Sequence, residues 1–177
     1  MVGTRSSARS LSSPDVEASR LAGEHDIARI VELAHVMRAE LSVMKGGAIW
    51  LQREAWPEPL DGAYRTLIER DDALVVVGTI DGYVLGFGAA VIEPLRSGDR
   101  LGVVTDLFVE EPAREVGIGE AIMDDLIGFC THRDCIGIDG LALPGHRATK
   151  NFFEEHHFTA RMLTMHHRLG PTPAAES

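Results

Sequence analysis

The sequence is poor in cysteine and has no long apolar run. With only Cys130 and Cys135 in 177 residues, it holds neither a disulfide framework nor a complete zinc ligand set. Both thiols read as small packed core residues of a chain kept reduced. No stretch approaches the roughly 18 apolar residues of a membrane-spanning helix, and the N-terminal residues lack the apolar core of a secretory signal. The expectation is a cytoplasmic protein. Positive charge is also short: a formal net charge of −10 argues against nucleic acid or an anionic membrane as a partner and is compatible with a cationic amine. Gly-x-Ser-x-Gly, His-Glu-x-x-His and Gly-Lys-Ser/Thr are all missing, so a nucleophile-elbow hydrolase, a metalloprotease and a P-loop NTPase lack their required parts. The pairs His156-His157 and His166-His167 do not make a metal site, because strand neighbours point to opposite faces. There is no internal repeat.

What is present is enough for one globular domain, with 45% hydrophobic residues. Residues 1–14, rich in serine, read as a disordered tail, residues 15–169 as the domain, and residues 170–177 as a flexible tail. A short strand is expected over Val16 to Leu21. A helix follows, because Ile27, Ile30, Val31, Ala34, Met37 and Leu41 recur at helical spacing. Lys45-Gly46-Gly47 breaks that pattern, Pro57 and Pro59 prevent one continuous helix through the next stretch, and a second helix is expected from Leu60 to Arg70. Trp50 and Trp56 beside these junctions read as core plugs or as lining of an acceptor pocket. Ala73 to Ile80 and Tyr83 to Ile92, separated by Asp81-Gly82, form a hairpin, and Gly86 and Gly88 mark a bend or close packing in its second strand. Leu101 to Val109 is the next strand, followed by a helix with Ile118, Ile122, Met123, Leu126, Ile127 and Cys130 on its apolar face. Asp124 and Asp125 lie on the solvated side of that helix. Cys135 to Leu143 reads as a strand, Arg147 to His156 as a helix, and Phe158 to Leu169 as a last strand or hairpin.

One loop carries chemistry. Between the strand ending at Val109 and the following helix lies Arg114-Glu115-Val116-Gly117-Ile118-Gly119. Its glycines allow a tight turn, and the first amides of the helix have no intrahelical acceptor. Together with the helix dipole and the charge of Arg114, they favour a phosphate.

Arg114-x-x-Gly117-x-Gly119 resembles the acyl-CoA-binding signature of the GNAT N-acetyltransferase superfamily, and Phe152-Phe153-Glu154-Glu155-His156-His157-Phe158 is similar to the family's helix ending in Leu-Tyr-Glu-Lys-x-Gly-Phe. The order of elements from Val16 to Leu169 matches too. The resemblance implies an α/β (α+β) fold, with a mixed, mostly antiparallel sheet of about six to seven strands flanked by about four helices. It implies acetyl-CoA as acyl donor, no metal, and a possible homodimer. Phe108 and Val109 would hydrogen-bond the pantetheine arm through their backbone, and Arg114, Glu115, Val116, Gly117, Ile118 and Gly119 would hold the pyrophosphate. His146, with Arg147 at the start of the last helix, approaches the cofactor phosphates in this reading. There are departures: Glu115 stands where the family usually has glycine, His157 likewise, and Phe153 occupies the place of the tyrosine that protonates the departing thiolate. A phenyl ring has no proton to give.

Transfer to an amine also needs a base, since an alkylammonium with a pKa near 10.4 costs roughly 4 to 5 kcal/mol to deprotonate at neutral pH. Asp106, on the central strand, is the candidate, with a structural carboxylate as its alternative role. His35, Glu54 and Glu93 are further residues for the acceptor side. Two functions are consistent with these residues: an acetyl-CoA-dependent N-acetyltransferase acting on a primary amine of a small molecule or peptide, and a non-catalytic acyl-CoA-binding module of the same fold.

Overall fold

The computed structural model describes residues 18–169; the expected tails, and Val16 at the start of the first strand, lie outside them. A five-stranded sheet runs in the order β1 (Ala18–Leu21), β2 (Ala73–Ile80), β3 (Tyr83–Pro94), β4 (Arg100–Val109) and β5 (Cys135–Gly140). Every neighbouring pair is antiparallel except β4 with β5. Five helices accompany it: α1 (Ile27–Ser42), α2 (Gly47–Arg53), α3 (Leu60–Glu69), α4 (Ile118–His132) and α5 (Arg147–Glu155). Among the described residues, no helix is long and apolar enough to cross a membrane.

The strand alternation sorts the core into two layers. Val75 and Val77 of β2, with Phe87, Ala89 and Val91 of β3, pack with α1 and α3 through Ile30, Leu33, Ala34, Leu60, Tyr64 and Leu67. Val76, Ala90 and Val104 face the other way, onto Ile118, Ile122 and Leu126 of α4. On that second face three strands carry glycine where α4 crosses. A Cβ would stand 2.3 Å from Ile118 Cγ2 at Gly78, 2.4 Å from Ile122 Cγ2 at Gly88, and 2.3 Å from Cys130 Sγ at Gly102. Gly88 is therefore explained by close packing of a helix on the sheet.

The hairpin turns at Asp81 and Gly82, both at positive φ (49° and 79°), as the twist of the flanking strands demands. Cys130 is buried, and burial together with the neighbouring Cys135 pushes its thiol up to about 11. It stays protonated at neutral pH and serves as packing.

Three expectations change. Among the described residues the sheet has five strands rather than six to seven, because the stretch Phe158 to Leu169 pairs with no strand there. Among the described residues there are five helices rather than about four: Gly46, at φ 87°, starts the short helix α2 that the Lys45-Gly46-Gly47 break conceals. Finally, β5 stops at Gly140 rather than running to Leu143.

Candidate active site

Thr105 and Asp106 interrupt the apolar run of β4 with two consecutive polar residues. Ala90 pairs with Val104 and Ala89 with Asp106, so Thr105 is an extra residue, a β-bulge. The bulge resets the alternation. Val104 belongs to the α4 side, whereas Asp106 turns to the α1 and α3 side, as does Phe108.

There Asp106 is only 5% exposed. Its Oδ2 accepts hydrogen bonds from Trp56 Nε1 at 2.8 Å and Thr105 Oγ1 at 2.9 Å, and its Oδ1 from Tyr64 Oη at 3.1 Å. Burial pushes the carboxyl above the usual aspartate range, while the hydrogen bonds from Thr105, Trp56 and Tyr64 and the charge of Arg38 pull the other way. The Tyr64 phenol is pushed far up by burial and by Asp106 beside it, so it acts as a neutral donor. Leu60, Tyr64 and Leu67 are the buried face of α3, and a hydroxyl on such a face must find a partner inside. Trp56 is held in turn by Arg38 of α1, whose Nη1 donates to the Trp56 carbonyl at 2.9 Å.

The bulge also marks where β4 and β5 part. Their last pair is Val104 with Gly140; beyond it β4 continues to Val109 with, among the described residues, only β3 beside it. The free edge of β4 therefore offers backbone groups to an extended ligand. Phe153 of α5 seals the end of β5: a Cβ on Gly140 would lie 2.4 Å from its Cε1. The Phe153 ring is 8% exposed and packs against Phe158, with 5.0 Å between centroids.

After β4 a short 3₁₀ turn, Glu111–Ala113, leads to Arg114. Arg114 Nε donates to the Val109 carbonyl at 2.8 Å, and its guanidinium carbon stands 5.4 Å from the centre of the Phe108 ring. Three predicted residues are thus brought together. A fourth participant was not foreseen: Glu40 of α1, whose Oε2 lies 2.9 Å from Arg114 Nη2. Arg29 of α1 likewise holds Glu110, at 2.7 Å, and donates to the Val84 carbonyl.

Glu115 adopts φ 74° and Gly117 φ 89°. The loop keeps a left-handed shape at the position where glycine was expected. Gly117 opens α4, and its carbonyl accepts from the Ala121 amide at 3.0 Å. Ile118 points its side chain into the core, Val116 is partly exposed, and the first-turn amides of Ile118, Gly119 and Glu120 have no intrahelical acceptor. Gly119 fits under Phe152, 3.2 Å from where its Cβ would stand, with Val109 beside it.

His157 repeats the device at the end of α5. Its φ is 65°, and the Phe158 amide donates back to the Phe153 carbonyl at 2.9 Å, closing the helix as a glycine would. His146, at the start of α5, is tied to its own helix by Thr149 Oγ1, 2.6 Å from its Nδ1. His35 and Glu54 do not join Asp106: His35 faces Glu58 at 3.9 Å and Glu54 pairs with Arg53. Glu93 sits opposite Leu101, toward the other end of the sheet from the loop. Trp50 is core, whereas Trp56 reaches the carboxylate.

The family model described as Acetyltransferase (GNAT) family matches residues 39–158. Among curated proteins, none matches by sequence. Solved structures share the fold. The tetramutant of the BH1408 protein from Bacillus halodurans superposes with a TM-score of 0.72 at 18% identity, covering 85% of this chain and 99% of that one. The aminoglycoside acetyltransferase meta-AAC0020 from an uncultured soil metagenomic sample, in complex with sisomicin, gives 0.65 at 14% identity, covering 89% and 98%. Glucosamine-6-phosphate N-acetyltransferase from Arabidopsis thaliana gives 0.64 at 17% identity, covering 88% and 100%.

Proposed function

Because the chain belongs to the GNAT acetyltransferase family, we propose that it transfers the acetyl group of acetyl-CoA directly to a primary amine of a small molecule or peptide. The observation that carries this reading is the parting of β4 from β5 beyond Val104 and Gly140, with Arg114 and the first amides of α4 at the same end. The register turns the Phe108 backbone toward Phe87 of β3, so a pantetheine arm laid in the gap finds its backbone partner at Val109. The pyrophosphate finds Arg114 and the amides of the loop from Glu115 to Gly119. That two structurally similar proteins are named for acetylating amine-bearing molecules, an aminoglycoside and glucosamine 6-phosphate, supports an amine acceptor.

In this mechanism the amine nitrogen attacks the thioester carbon. Negative charge grows on the carbonyl oxygen, where the backbone N–H groups of Leu107 and Val109, which face away from β3, stabilise it. The C–S bond then breaks, the thiolate leaves, and the proton lost by the amine goes to Asp106. The raised basicity of a buried carboxylate suits that role. Positioning of the two substrates supplies much of the remaining acceleration.

A second reading, a non-catalytic acyl-CoA-binding module, has its own support: Phe153 carries no proton, and both oxygens of Asp106 already accept hydrogen bonds. Thermal shift with acetyl-CoA tests what the two share, and no stabilisation at millimolar ligand overturns both. Release of free thiol over a panel of polyamines, aminoglycosides, amino acids and peptides separates them. Turnover with any acceptor supports the enzyme; binding without turnover on the whole panel supports the module.

A further inference from the structure

Cys130 and Cys135 are the chain's two cysteines, and the fold brings them side by side. Cys130 ends the buried row of α4 at 3% exposure, with Gly102 of β4 left bare beneath its sulfur. Cys135 opens β5 and is half-buried. A register shift turns it toward α4. Gly102 pairs with Ile138 and Leu101 with Gly137, but Arg100 pairs with Cys135, so Ile136 is an extra residue, a second β-bulge. Ile138 packs in the α4 layer. Strict alternation from Ile138 would put Cys135 on the opposite face. The bulge instead aligns it with Arg100, which shares the face of Gly102, and leaves Ile136 66% exposed.

A tight turn holds the two elements together. The Arg133 amide donates to the Cys130 carbonyl at 3.3 Å, Asp134 takes φ 56°, and Arg100 Nη1 donates to the Arg133 carbonyl at 2.8 Å. The thiols are near enough that Cys135 acts on Cys130 both through a side-chain hydrogen bond and by charge. Packing over Gly102 accounts for Cys130, but not for a second, half-open sulfur in contact with it.

We propose that Cys130 and Cys135 form a reversible modification site, a dithiol that a low-molecular-weight disulfide oxidises to an intramolecular disulfide joining α4 to β5. The site is separate from acetyl transfer and needs neither CoA nor an acceptor. Cys135, the more open thiol, releases its proton to water and attacks one sulfur of the incoming R–S–S–R. A mixed disulfide forms and one RS⁻ leaves. Cys130, buried and holding its proton, stays out of this first step. It then gives its proton to water, attacks the Cys135 sulfur and expels the second RS⁻. The chain loses two hydrogens, and R–S–S–R is reduced to two thiols.

Glutathione disulfide, added to the folded full chain, is the probe. Intact mass without reductant is expected to fall by two hydrogens with no glutathione retained, and dithiothreitol should restore both free thiols. Cys130→Ala has no second thiol and should stop at the mixed disulfide on Cys135. Equilibration in a glutathione buffer measures how well the fold presents the pair. The constant for closing the disulfide is expected to be at least about tenfold larger in the folded chain than in roughly 8 M urea. A wild-type chain that stops at the mixed disulfide, keeps both thiols or links two copies overturns the proposal. A constant no larger folded than unfolded does so too, since five residues of free chain would then join the thiols as well as the fold does. Both deciding measurements use the wild-type chain, so they stand even where a variant fails to fold.

Discussion

Arg114 and Glu40 face each other across the loop, with Nη2 to Oε2 at 2.9 Å, while Arg114 Nε is held by the Val109 carbonyl. The cation expected to meet the pyrophosphate is thus already paired, and it must leave Glu40 to do so. Because the pair is exposed, the cost is small, about 0.2 to 1 kcal/mol. Glu40→Gln is expected to lower the dissociation constant for CoA by up to about fivefold. Arg114→Ala removes charge-assisted bonds worth about 1.5 to 3 kcal/mol and should weaken CoA at least about tenfold. Calorimetry with CoA and with pantetheine checks both, because neither change should alter binding of pantetheine, which lacks the pyrophosphate.

Glu115 combines two penalties at one position: a left-handed backbone, φ 74°, and a negative charge beside the phosphate loop. Glu115→Gly relieves both. It is expected to stabilise the chain by about 1 kcal/mol, a rise of about 2 to 4 °C in thermal midpoint, and to tighten CoA. Glu115→Ala separates the effects, since it removes the charge and leaves the strain. Its CoA affinity should rise while its melting temperature stays near that of the wild type.

Much of this fold was legible because local rules agreed with the tertiary outcome. Asp81-Gly82 predicts a hairpin turn, and the row from Ile118 to Cys130 predicts one buried helix face. Glu115 and His157 show how a pattern survives without glycine, for both residues adopt the positive φ that glycine favours. Less legible were features that depend on distant partners. Nothing near Arg114 announces Glu40, 74 residues away, and nothing around Tyr64, inside the helix expected from Leu60 to Arg70, announces Asp106, 42 residues away. A signal for the bulge was present: Thr105 and Asp106 side by side in an apolar strand cannot alternate regularly. The stretch Phe158 to Leu169 has strand character but no neighbour to pair with, and no local property reveals that.

Asp106 is predicted to make stability depend on pH. Burial raises its native pKa, so the folded chain keeps a proton that the unfolded chain releases. The stability linked to this group is complete below the ordinary aspartate range and declines as pH rises from there through the raised native value. Asp106→Asn cannot titrate, and urea midpoints measured from about pH 4 to 8 should show a flatter profile. In the proposed mechanism the same change lowers kcat and leaves the CoA dissociation constant unchanged. An unaltered kcat would assign Asp106 to holding Trp56 and Tyr64 in place, a role that Trp56→Phe and Tyr64→Phe would then share.

Phe153 raises the question of how the thiolate departs. An ordinary thiol has a pKa near 8.5, close enough to neutrality for CoA to leave as an anion with only a modest penalty, about 2 kcal/mol at 1.4 per unit. A missing acid at this position therefore slows transfer without forbidding it. Phe153→Tyr places a phenol where the ring lies against Gly140 and should raise kcat about two- to tenfold, with the gain lost as the phenol titrates near pH 10. The KM for acetyl-CoA should hold, since the ring body is unchanged. If kcat does not move, expulsion of the thiolate is not the slow step, and attack by the amine or release of product controls the rate. If the wild type is inert and the tyrosine variant turns over, the phenyl ring is what separates a binding module from an enzyme on this scaffold.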